Sequence, residues 1–421
     1  MSDEHLEAVR AAAGDAATQA REHPPASPDG RLLRRLLDAL GNPPLRVTLW
    51  NGDSIATREP VAATIRISSR AALFKLLINP ELHFGDAYAD GTLEVEGDLV
   101  QLLEDVYRAL PHARSSGLRH RISDWLHSGR RNTLAGSRRN IHRHYDLGND
   151  FYRLWLDRDM LYTCAYFATP QATLEQAQTA KLEHVCRKIR LRAGDTLYEA
   201  GCGWGAFAMY AATHYGAKVT AFNISREQIA FARERTRALG LQDRVEFVEE
   251  DYRNISGHCD AFVSIGMLEH VGREHYRELG AVIDRCLDGA GRGLIHSIGR
   301  DRPEPLNAWI VKRIFPGAYP PTLREMMDIF EPLGFSVLDV ENLRLHYALT
   351  LRHWLERYEE ARERVLAMYD EPFVRAWRLY LAGSIAAFNA GALQLFQVVF
   401  NRSGYNDVPW TREHLYRSAA R

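Results

Sequence analysis

The chain has 421 residues, of which 46% are hydrophobic and 25% charged, and its formal net charge is −1. This composition excludes a disordered or fibrous chain, and the length predicts two globular units with sizeable cores. The near-zero net charge gives no sign of a nucleic-acid partner. Five scattered cysteines without a C-x-x-C pair argue against a structural zinc site and favour a reducing compartment.

The first third of the chain predicts a small α+β unit. Residues 1–30 are rich in Ala, Pro and charge, and they begin without the apolar run of a signal peptide. After them LRVTLW, ATIRI and LEVEG are typical of strands, whereas RAALFKLLIN and DLVQLLEDVYRAL are typical of helices. We find no catalytic motif here and assign residues 1–112 to an accessory domain.

An arginine-rich segment follows this unit. Residues 111–143 hold eight arginines against a single acid, Asp124. One interpretation is a solvated basic linker, which we place at residues 113–140. The other is a surface that meets anionic lipid headgroups, where each cation near the membrane contributes about 1 kcal/mol.

From about residue 180 the pattern alternates between strand and helix, which predicts a parallel sheet covered on both faces. Predicted strands lie at 196–200, 218–224, 245–250, 260–265, 292–298, 335–343 and 393–400. About 50 helical residues separate the last two strands and are predicted to build part of a pocket. Residues 381–400 carry no charge and are long enough to span a bilayer, but polar interruptions predict a buried helix and then a buried strand.

A glycine loop in the sequence LYEAGCGWGAF, residues 197–207, joins the first of these strands to a helix. It lacks the third glycine of a dinucleotide site and the G-K-[ST] of a phosphate loop. It is either a tight turn or a site for a nucleoside without phosphates. Glu199 before the loop suits a cationic amino-acid tail, and Gly201 and Gly203 admit a ligand close to the backbone. These features together fit S-adenosylmethionine.

The next two strands end in further candidates for this ligand. Asn223 and Gln228 are placed to meet the ribose, although Ser225 and Gln228 also have the spacing of a helix capping box. Asp251 is a candidate for the adenine amine, and Tyr252 is a candidate wall of the site.

Two more polar side chains follow the fourth and fifth strands of the sheet. Glu269 lies among apolar residues and needs a partner, and His296 lies in an apolar strand. His270 is either a residue at a helix start or a site residue, and His296 is either a core histidine or a functional one. Ligands of open parallel sheets bind at the carboxyl ends of the strands, which favours a site here.

Six motifs in order resemble the cyclopropane-fatty-acyl-phospholipid synthases and their mycolic-acid relatives. They are HYDLGNDFYRLWLD, YTCAYF, AGCGWG, GMLEHVG, LIHSIG and FQVVF, and the resemblance covers about residues 138–402. It implies an α/β, doubly wound, seven-stranded class I methyltransferase fold with a helical insertion, at residues 141–421, after a small α+β N-terminal domain that is lipid-binding-like. It also implies S-adenosylmethionine as donor and a bound bicarbonate as base.

The resemblance also assigns residues to these two groups. The bicarbonate would be held by the side chains of Glu269, His296 and Tyr347 and by the backbone amides of Cys164 and Ile298. The contacts to S-adenosylmethionine would be Tyr162, Thr163, Glu199, Gly201, Gly203, Asn223, Ile224, Gln228, Asp251 and Tyr252. This sequence departs from the family at Glu199, Thr163 and Asn223, where Asp, Ser and Thr are usual, and each change keeps a polar group.

The implied reaction explains the other residue types. Methyl transfer to an alkene leaves a carbocation, which a dry, aromatic cavity protects from water. Candidate walls are Tyr166, Phe167, Trp309 and Phe315, and for each the alternative is ordinary core packing. Cys164 has no base beside it in sequence, so we expect its thiol to pack and its backbone to act.

Three functions remain open at this stage. They are cyclopropanation of unsaturated acyl chains, methyl or methylene branching of the same chains, and lipid binding without catalysis. For partners and location, we expect phospholipid acyl chains at the inner face of the membrane, a cytoplasmic, peripherally bound protein, and a homodimer.

Overall fold

A computed structural model describes residues 27–58, 61, 63–113 and 147–416. Apart from Ala113, the predicted basic linker at 113–140 lies outside these residues, as does most of the predicted loose start.

The N-terminal unit is a four-stranded sheet with helices packed against it. Its strands, in the order β2-β1-β3-β4, are β1 (Leu45–Leu49), β2 (Ser54–Ala56), β3 (Ala63–Ile67) and β4 (Leu93–Gly97). Only the β1–β3 pair is parallel. The helices are α1 (Pro28–Ala39), α2 (Arg70–Ile78), α3 (Pro80–Ala89) and α4 (Leu99–Ala113). Alternate residues of β1 and β3 are buried, as expected for strands with one covered face. The predicted α+β unit is confirmed.

The catalytic unit contains a seven-stranded sheet. Its strands are β5 (Thr196–Ala200), β6 (Lys218–Asn223), β7 (Val245–Glu249), β8 (Cys259–Ile265), β9 (Leu287–Gly299), β10 (Phe335–Asn342) and β11 (Gln394–Arg402). The spatial order is β10-β11-β9-β8-β5-β6-β7. Strands β5 to β9 run parallel, whereas β11 is antiparallel to both of its neighbours. All seven predicted strands are present.

Helices cover both faces of this sheet. They are α6 (Leu174–Lys188), α7 (Ala206–Tyr210), α8 (Arg226–Ala238), α9 (Tyr276–Cys286) and α11 (Leu323–Phe330). Two short helices, α5 (Asn149–Arg153) and α10 (Ala308–Arg313), belong instead to the core shared with the N-terminal unit. Leu197 and Tyr198 are neighbours in β5 but belong to different hydrophobic cores, one on each face. A strand buried on both faces has apolar residues on both, and this explains the consecutive apolar residues within these strands.

The long insertion between β10 and β11 is helical, as predicted. It contains α12 (Arg344–Glu360), α13 (Arg362–Met368) and α14 (Glu371–Asn389). The uncharged run at 381–400 is divided between the end of α14 and the buried strand β11, which confirms the predicted helix and strand. Across the part of the chain that the structure describes, no helix has both the length and the apolar character needed to cross a membrane.

The insertion joins the two units of the protein. Helix α14 packs against α3 and α4 of the N-terminal unit. Arg375 in α14 donates from Nε to the carbonyl oxygen of Tyr88 at 2.6 Å, and Arg313 in α10 forms a two-pronged ion pair with Asp86 at 2.9 and 3.0 Å. The N-terminal unit is therefore held against the helices that, as described below, line the active site.

Candidate active site

The glycine loop follows β5 and brings bare backbone to a cavity. Gly201 has a φ of +84°, a conformation that side chains rarely adopt. A β-carbon added there would lie 2.9 Å from the β-carbon of Met267, which is too close. Helix α7 begins directly after the loop at Ala206. The loop is thus a strand-to-helix turn that also lines a binding site.

All ten residues predicted to contact S-adenosylmethionine line this one cavity, which measures about 1080 Å³ with its mouth included. The structure brings them together from β5 and the glycine loop after it, from the end of β6 and the first turn of α8, from the segment after β7 and from the loop before α6. The cavity is also lined by Lys181, Trp204, Met267 and His270. The contact that each residue makes to a ligand stays a prediction.

Glu199 gives this cavity a buried acid. Its side chain is 2% exposed, and within the described residues its Oε2 atom has no hydrogen-bond partner. Burial raises the pKa of the Glu199 carboxyl to about 8, because a carboxylate loses its hydration there. An ammonium group beside it would restore the charged form. The acid therefore fits the amino group of a bound S-adenosylmethionine.

Asn223 and Gln228 hold each other at the end of β6. The Nδ2 atom of Asn223 donates to Oε1 of Gln228 at 2.8 Å and to the carbonyl oxygen of Gly203 at 3.3 Å. The hydroxyl of Ser225 accepts a hydrogen bond from the backbone amide of Gln228 at 3.4 Å. The side chain of Gln228 does not bond the backbone amide of Ser225 in turn. Only half of the capping box forms, and the two amide side chains stay at the cavity wall.

A second, larger cavity of about 1380 Å³, mouth included, adjoins the first. The two cavities share Tyr162, Thr163, Gly266 and His270 as lining residues. The second one is lined mainly by apolar side chains of α10, α12 and α14. The N-terminal unit adds five lining residues, which are Glu81, Phe84, Gly85, Leu103 and Tyr107. An apolar molecule can thus lie beside whatever occupies the first cavity.

The five predicted bicarbonate ligands all line this second cavity. Among the described residues, Oε2 of Glu269 and Nε2 of His296 are buried without a hydrogen-bond partner. Burial raises the pKa of Glu269 to about 7 and lowers that of His296 well below its usual range, so His296 is neutral. Two buried polar atoms without partners in one cavity fit a small polar ligand between them.

The backbone of Ile298 differs from expectation. Its amide donates to Oε1 of Glu269 at 2.6 Å, so it fixes the carboxyl group and is not open to an anion. The amide of Cys164 makes no hydrogen bond within the described ranges. Burial raises the pKa of the Cys164 thiol well above its usual range, and its sulfur donates to the Ala165 carbonyl oxygen at 3.2 Å. A packing role for this thiol agrees with these contacts.

The predicted aromatic walls divide into two pairs. Trp309 and Phe315 line the second cavity, as expected. Tyr166 and Phe167 do not, and that part of the prediction is wrong. Tyr166 is stacked between His184 and His346, at ring distances of 4.2 and 5.0 Å, and Phe167 stacks on His353. The chain turns away from the cavity after Cys164.

Two residues of the site, Lys181 and Gln397, interrupt apolar patterns in the sequence, and that interruption is a signal of function. Lys181 lies on the apolar stripe of α6 with Leu174, Ala177 and Val185, which is an unusual place for a lysine. Gln397 is a lone polar residue in the apolar centre of β11, and its Nε2 atom lies 3.0 Å from Nδ1 of His296. In each case a polar side chain interrupts a periodic apolar pattern.

Comparisons with known proteins agree with this geometry. The family described as mycolic acid cyclopropane synthetase matches residues 133–398, and one described only as a domain of unknown function matches residues 32–115. A probable fatty acid methyltransferase of Pseudomonas putida is 38% identical over 89% of this chain and 96% of its own length. The cyclopropane-fatty-acyl-phospholipid synthase of Escherichia coli K12 is 36% identical over 84% and 92%.

Solved structures give the same result. The cyclopropane synthase MmaA2 of Mycobacterium tuberculosis superposes with a TM-score of 0.60 at 30% identity, covering 62% of this chain and 97% of that one. The mycolic acid cyclopropane synthase CmaA1, in complex with SAH and CTAB, also gives 0.60 at 30% identity, covering 63% and 98%.

Fold and site together define an S-adenosylmethionine-dependent methyltransferase with the class I sheet. The chain belongs to the mycolic acid cyclopropane synthetase family, which includes the cyclopropane-fatty-acyl-phospholipid synthases. Its reaction is the S-adenosylmethionine-dependent transfer of a methyl group, or of a methylene that closes a cyclopropane ring, to fatty acyl chains.

Proposed function

We propose that this enzyme forms cyclopropane rings at the cis double bonds of unsaturated acyl chains in membrane phospholipids. The observation that carries the proposal is the pair of adjoining cavities. One fits the donor, and the other is larger, mainly apolar and lined by Glu269 and His296. The Escherichia coli relative, named for the same reaction on phospholipids, supports the choice of substrate.

In this proposal the protein positions the reactants and excludes water. S-adenosylmethionine supplies an electrophilic methyl group. Glu199 and the glycine loop hold its amino-acid end, while Tyr162, which lines both cavities, lies where they meet. Tyr162 is fixed by a 2.8 Å hydrogen bond between its hydroxyl and that of Tyr380, and by ring contacts with Trp155 and Trp354 at 5.3 Å. Aromatic faces around the double bond stabilise positive charge as it develops there.

Ring closure requires that the transferred carbon lose one proton. Glu269 and His296, with Tyr347 and the Cys164 amide, would hold a bicarbonate ion, which supplies a base when bound. The buried, unpartnered Oε2 of Glu269 and Nε2 of His296 support this assignment. Glu269 has a pKa of about 7 and shares a proton readily with an acid of similar strength.

The function is tested with vesicles of unsaturated phospholipid and S-adenosylmethionine. Ring formation adds one CH2 to the lipid, needs no reductant and leaves a product without a double bond. We expect lipid mass spectrometry to report that gain and the product to resist ozonolysis. A gain of CH2 with an ozone-sensitive product would mean a methylene branch instead.

Bicarbonate is tested separately. Glu269→Gln should reduce turnover severely and leave the affinity for S-adenosylmethionine nearly intact, because the loss belongs to proton removal. Depleting bicarbonate should slow the native enzyme, and adding it back should restore the rate. Full activity of enzyme verified to be free of bound bicarbonate would refute the assignment.

Branching of the acyl chain is the second candidate. The Pseudomonas putida relative is named a fatty acid methyltransferase, and a Mycobacterium tuberculosis relative, 33% identical, is named a tuberculostearic acid methyltransferase. A saturated methyl branch needs two further hydrogens, so a reductant would be required. Lipid binding without catalysis is disfavoured, since Glu199, Glu269 and His296 lie buried beside the two cavities.

We also propose a membrane contact on α2. Phe74 and Ile78, one turn apart, are 45% and 79% exposed, and Lys75 and Arg70 lie on the same helix. Helix α2 packs against α3, whose residues line the second cavity. An apolar patch with cations suits a phospholipid surface.

A homodimer is proposed from the family resemblance, and light scattering on purified protein tests it.

A further inference from the structure

Lys181 of helix α6 is a buried cation with too few partners. Its side chain is fully buried, and its Nζ atom donates one hydrogen bond, to the Thr163 hydroxyl at 2.9 Å. An ammonium group has three donors. Within the part of the chain that the structure describes, Lys181 forms no ion pair. A buried charge without a counterion is costly, so a lysine in this position calls for an anion nearby.

The lysine lines the first cavity together with Glu199. The two groups are near enough to influence each other's charge, yet they do not form an ion pair. Oε2 of Glu199 is itself buried without a hydrogen-bond partner in the described residues. One cavity thus holds a cation and an acid that are kept apart. A ligand that carries both an ammonium and a carboxylate would complement the two.

The surroundings of Lys181 agree with such a ligand. Thr163 accepts the lysine's hydrogen bond, so its own hydroxyl proton can be donated to a carboxylate oxygen. Asp157 is the acid whose charge most favours the charged form of Lys181, but it forms no ion pair with the lysine in the described residues. Its two carboxylate oxygens already accept the backbone amides of Leu161 and Asp159, at 2.8 and 3.0 Å. Burial lowers the pKa of Lys181 to about 8, so the lysine is mostly charged at neutral pH.

We propose that Lys181 and the Thr163 hydroxyl bind the carboxylate of the methionyl group of S-adenosylmethionine, while Glu199 binds its ammonium. The proposal rests on S-adenosylmethionine being the donor in this cavity. It adds a carboxylate subsite and makes Lys181 a binding residue. A purely structural lysine would instead only hold Thr163 and its loop in place.

Three ligands separate these two roles by calorimetry. S-adenosylmethionine carries a sulfonium, an ammonium and a carboxylate. Its decarboxylated analogue keeps the sulfonium and the ammonium, and 5′-methylthioadenosine, a neutral thioether, has none of the three charges. The native enzyme should bind S-adenosylmethionine at least about tenfold more tightly than the decarboxylated analogue, since a charged hydrogen bond is lost. Lys181→Met should weaken S-adenosylmethionine binding about tenfold and change the affinities of the other two ligands less than twofold.

Glu199→Gln is the matched control. It should weaken both ligands that carry the ammonium and leave 5′-methylthioadenosine unaffected. Lys181→Gln, which can still donate to Thr163, is the second variant, and it should behave like Lys181→Met. Equal weakening of all three ligands in the Lys181 variants would mean that the lysine only supports the loop, and the proposal would be wrong.

If the variants fold poorly, the affinities of the native protein for the three ligands test the proposal on their own. Equal affinity for S-adenosylmethionine and its decarboxylated analogue would overturn the carboxylate subsite and leave the donor assignment standing. Failure of the native protein to bind any of the three ligands would overturn the donor assignment, and with it this proposal.

Discussion

Glu199 is an acid whose charge depends on what binds beside it. In the protein alone, burial holds the pKa of its carboxyl at about 8, so the group is mostly protonated at pH 6 and 7. A ligand ammonium prefers the carboxylate, so binding must expel the proton. Binding therefore becomes easier as the pH rises toward 8.

We predict that the affinity for S-adenosylmethionine increases about tenfold between pH 6 and pH 7. In this range Lys181 and the ligand ammonium keep their charge, and His270, whose pKa burial lowers to about 4, stays neutral. Calorimetry at the two pH values measures the change. Glu199→Gln should bind more weakly, by roughly 1.5–3 kcal/mol, and should lose the pH dependence. A native affinity that is flat from pH 6 to 7 would contradict an ionising Glu199.

Gln397 sets which nitrogen of His296 carries the proton. The ring is neutral, and the Gln397 amide, donating to Nδ1 at 3.0 Å, leaves the proton on Nε2. That is the atom with no partner among the described residues. Gln397 therefore keeps His296 ready to donate a hydrogen bond into the second cavity.

We predict that Gln397→Leu lowers kcat roughly tenfold, a loss of about 1.4 kcal/mol, and leaves the KM for S-adenosylmethionine unchanged. Steady-state kinetics measure both values. Gln394→Leu is the control, because Gln394 is also buried in β11 but faces the opposite side of the sheet and bonds Asn342. Equal losses in the two variants would mean that the strand, not the histidine, is affected.

At the scale of elements, the sequence predicts the sheet well and the cavity walls less well. The centre of β8 carries consecutive apolar residues, Ala261, Phe262 and Val263, and all three are fully buried, a pattern with few explanations other than a sheet covered on both faces. The motif residues follow strand ends, so their convergence on two adjoining cavities could also be foreseen. What a side chain faces beyond a strand end depends on packing between distant segments.

The two residues that were wrongly predicted to line the cavity illustrate that limit. Tyr166 and Phe167 come directly after Cys164, which does line the cavity, yet they stack on histidines of α6 and α12. The contribution of the N-terminal unit was not foreseen for the same reason. Phe84 and Tyr107 belong to helices without a site motif, and only the docking of that unit on α14 brings them to the cavity.

Helix α3 approaches the cavity wall closely at Gly85, where it has no side chain. A β-carbon added at Gly85 would lie 2.5 Å from ring atoms of Trp309 in α10. Alanine is favoured over glycine in a helix by about 1 kcal/mol, but overpacking costs about 1–3 kcal/mol, so the clash should win.

We predict that Gly85→Ala moves Trp309, lowers the kcat/KM for lipid and leaves the affinity for S-adenosylmethionine unchanged. Turnover on vesicles and calorimetry measure the two effects. Gly404→Ala is the control, since a β-carbon there meets nothing within 4 Å. Unchanged lipid kinetics in Gly85→Ala would show that Trp309 can move without effect on the acyl site.

At the scale of the whole molecule, two surfaces compete to explain membrane contact. One is the arginine-rich segment 111–143, most of which lies outside the described residues. The other is the patch on α2 with Phe74 and Ile78. They differ in their physical cause, because charge attraction is screened by salt and apolar insertion is not.

We predict that binding to anionic vesicles weakens as salt rises from 0.01 M to 0.15 M, since the screening length falls from about 30 Å to about 8 Å. Each arginine changed to glutamine, among Arg130, Arg131, Arg138 and Arg139, should reduce binding about fivefold at low salt. Vesicle flotation measures binding, and the matched lysine variants should bind normally. Binding that ignores both salt and these changes would leave the segment as a linker.

We further predict that a Phe74→Ser, Ile78→Ser double variant binds vesicles less tightly at every salt concentration. Flotation with neutral vesicles isolates this effect, and exposed Leu239 on the catalytic unit, changed to serine, serves as a control. Equal binding of the double variant and the native protein would exclude the α2 patch as a membrane contact.

The position of β11 has a consequence for how the protein is made. Of the eleven strands in the described residues, this one comes last in chain order, yet it lies inside the sheet between β9 and β10. Until the ribosome has released it, both neighbours present open edges that invite pairing with other chains. The nascent enzyme therefore passes through a stage in which most of its core has formed but the edges of β9 and β10 are still unpaired and prone to aggregation. Ribosome stalling or premature termination shortly before β11 would produce aggregates rather than a weakly active enzyme.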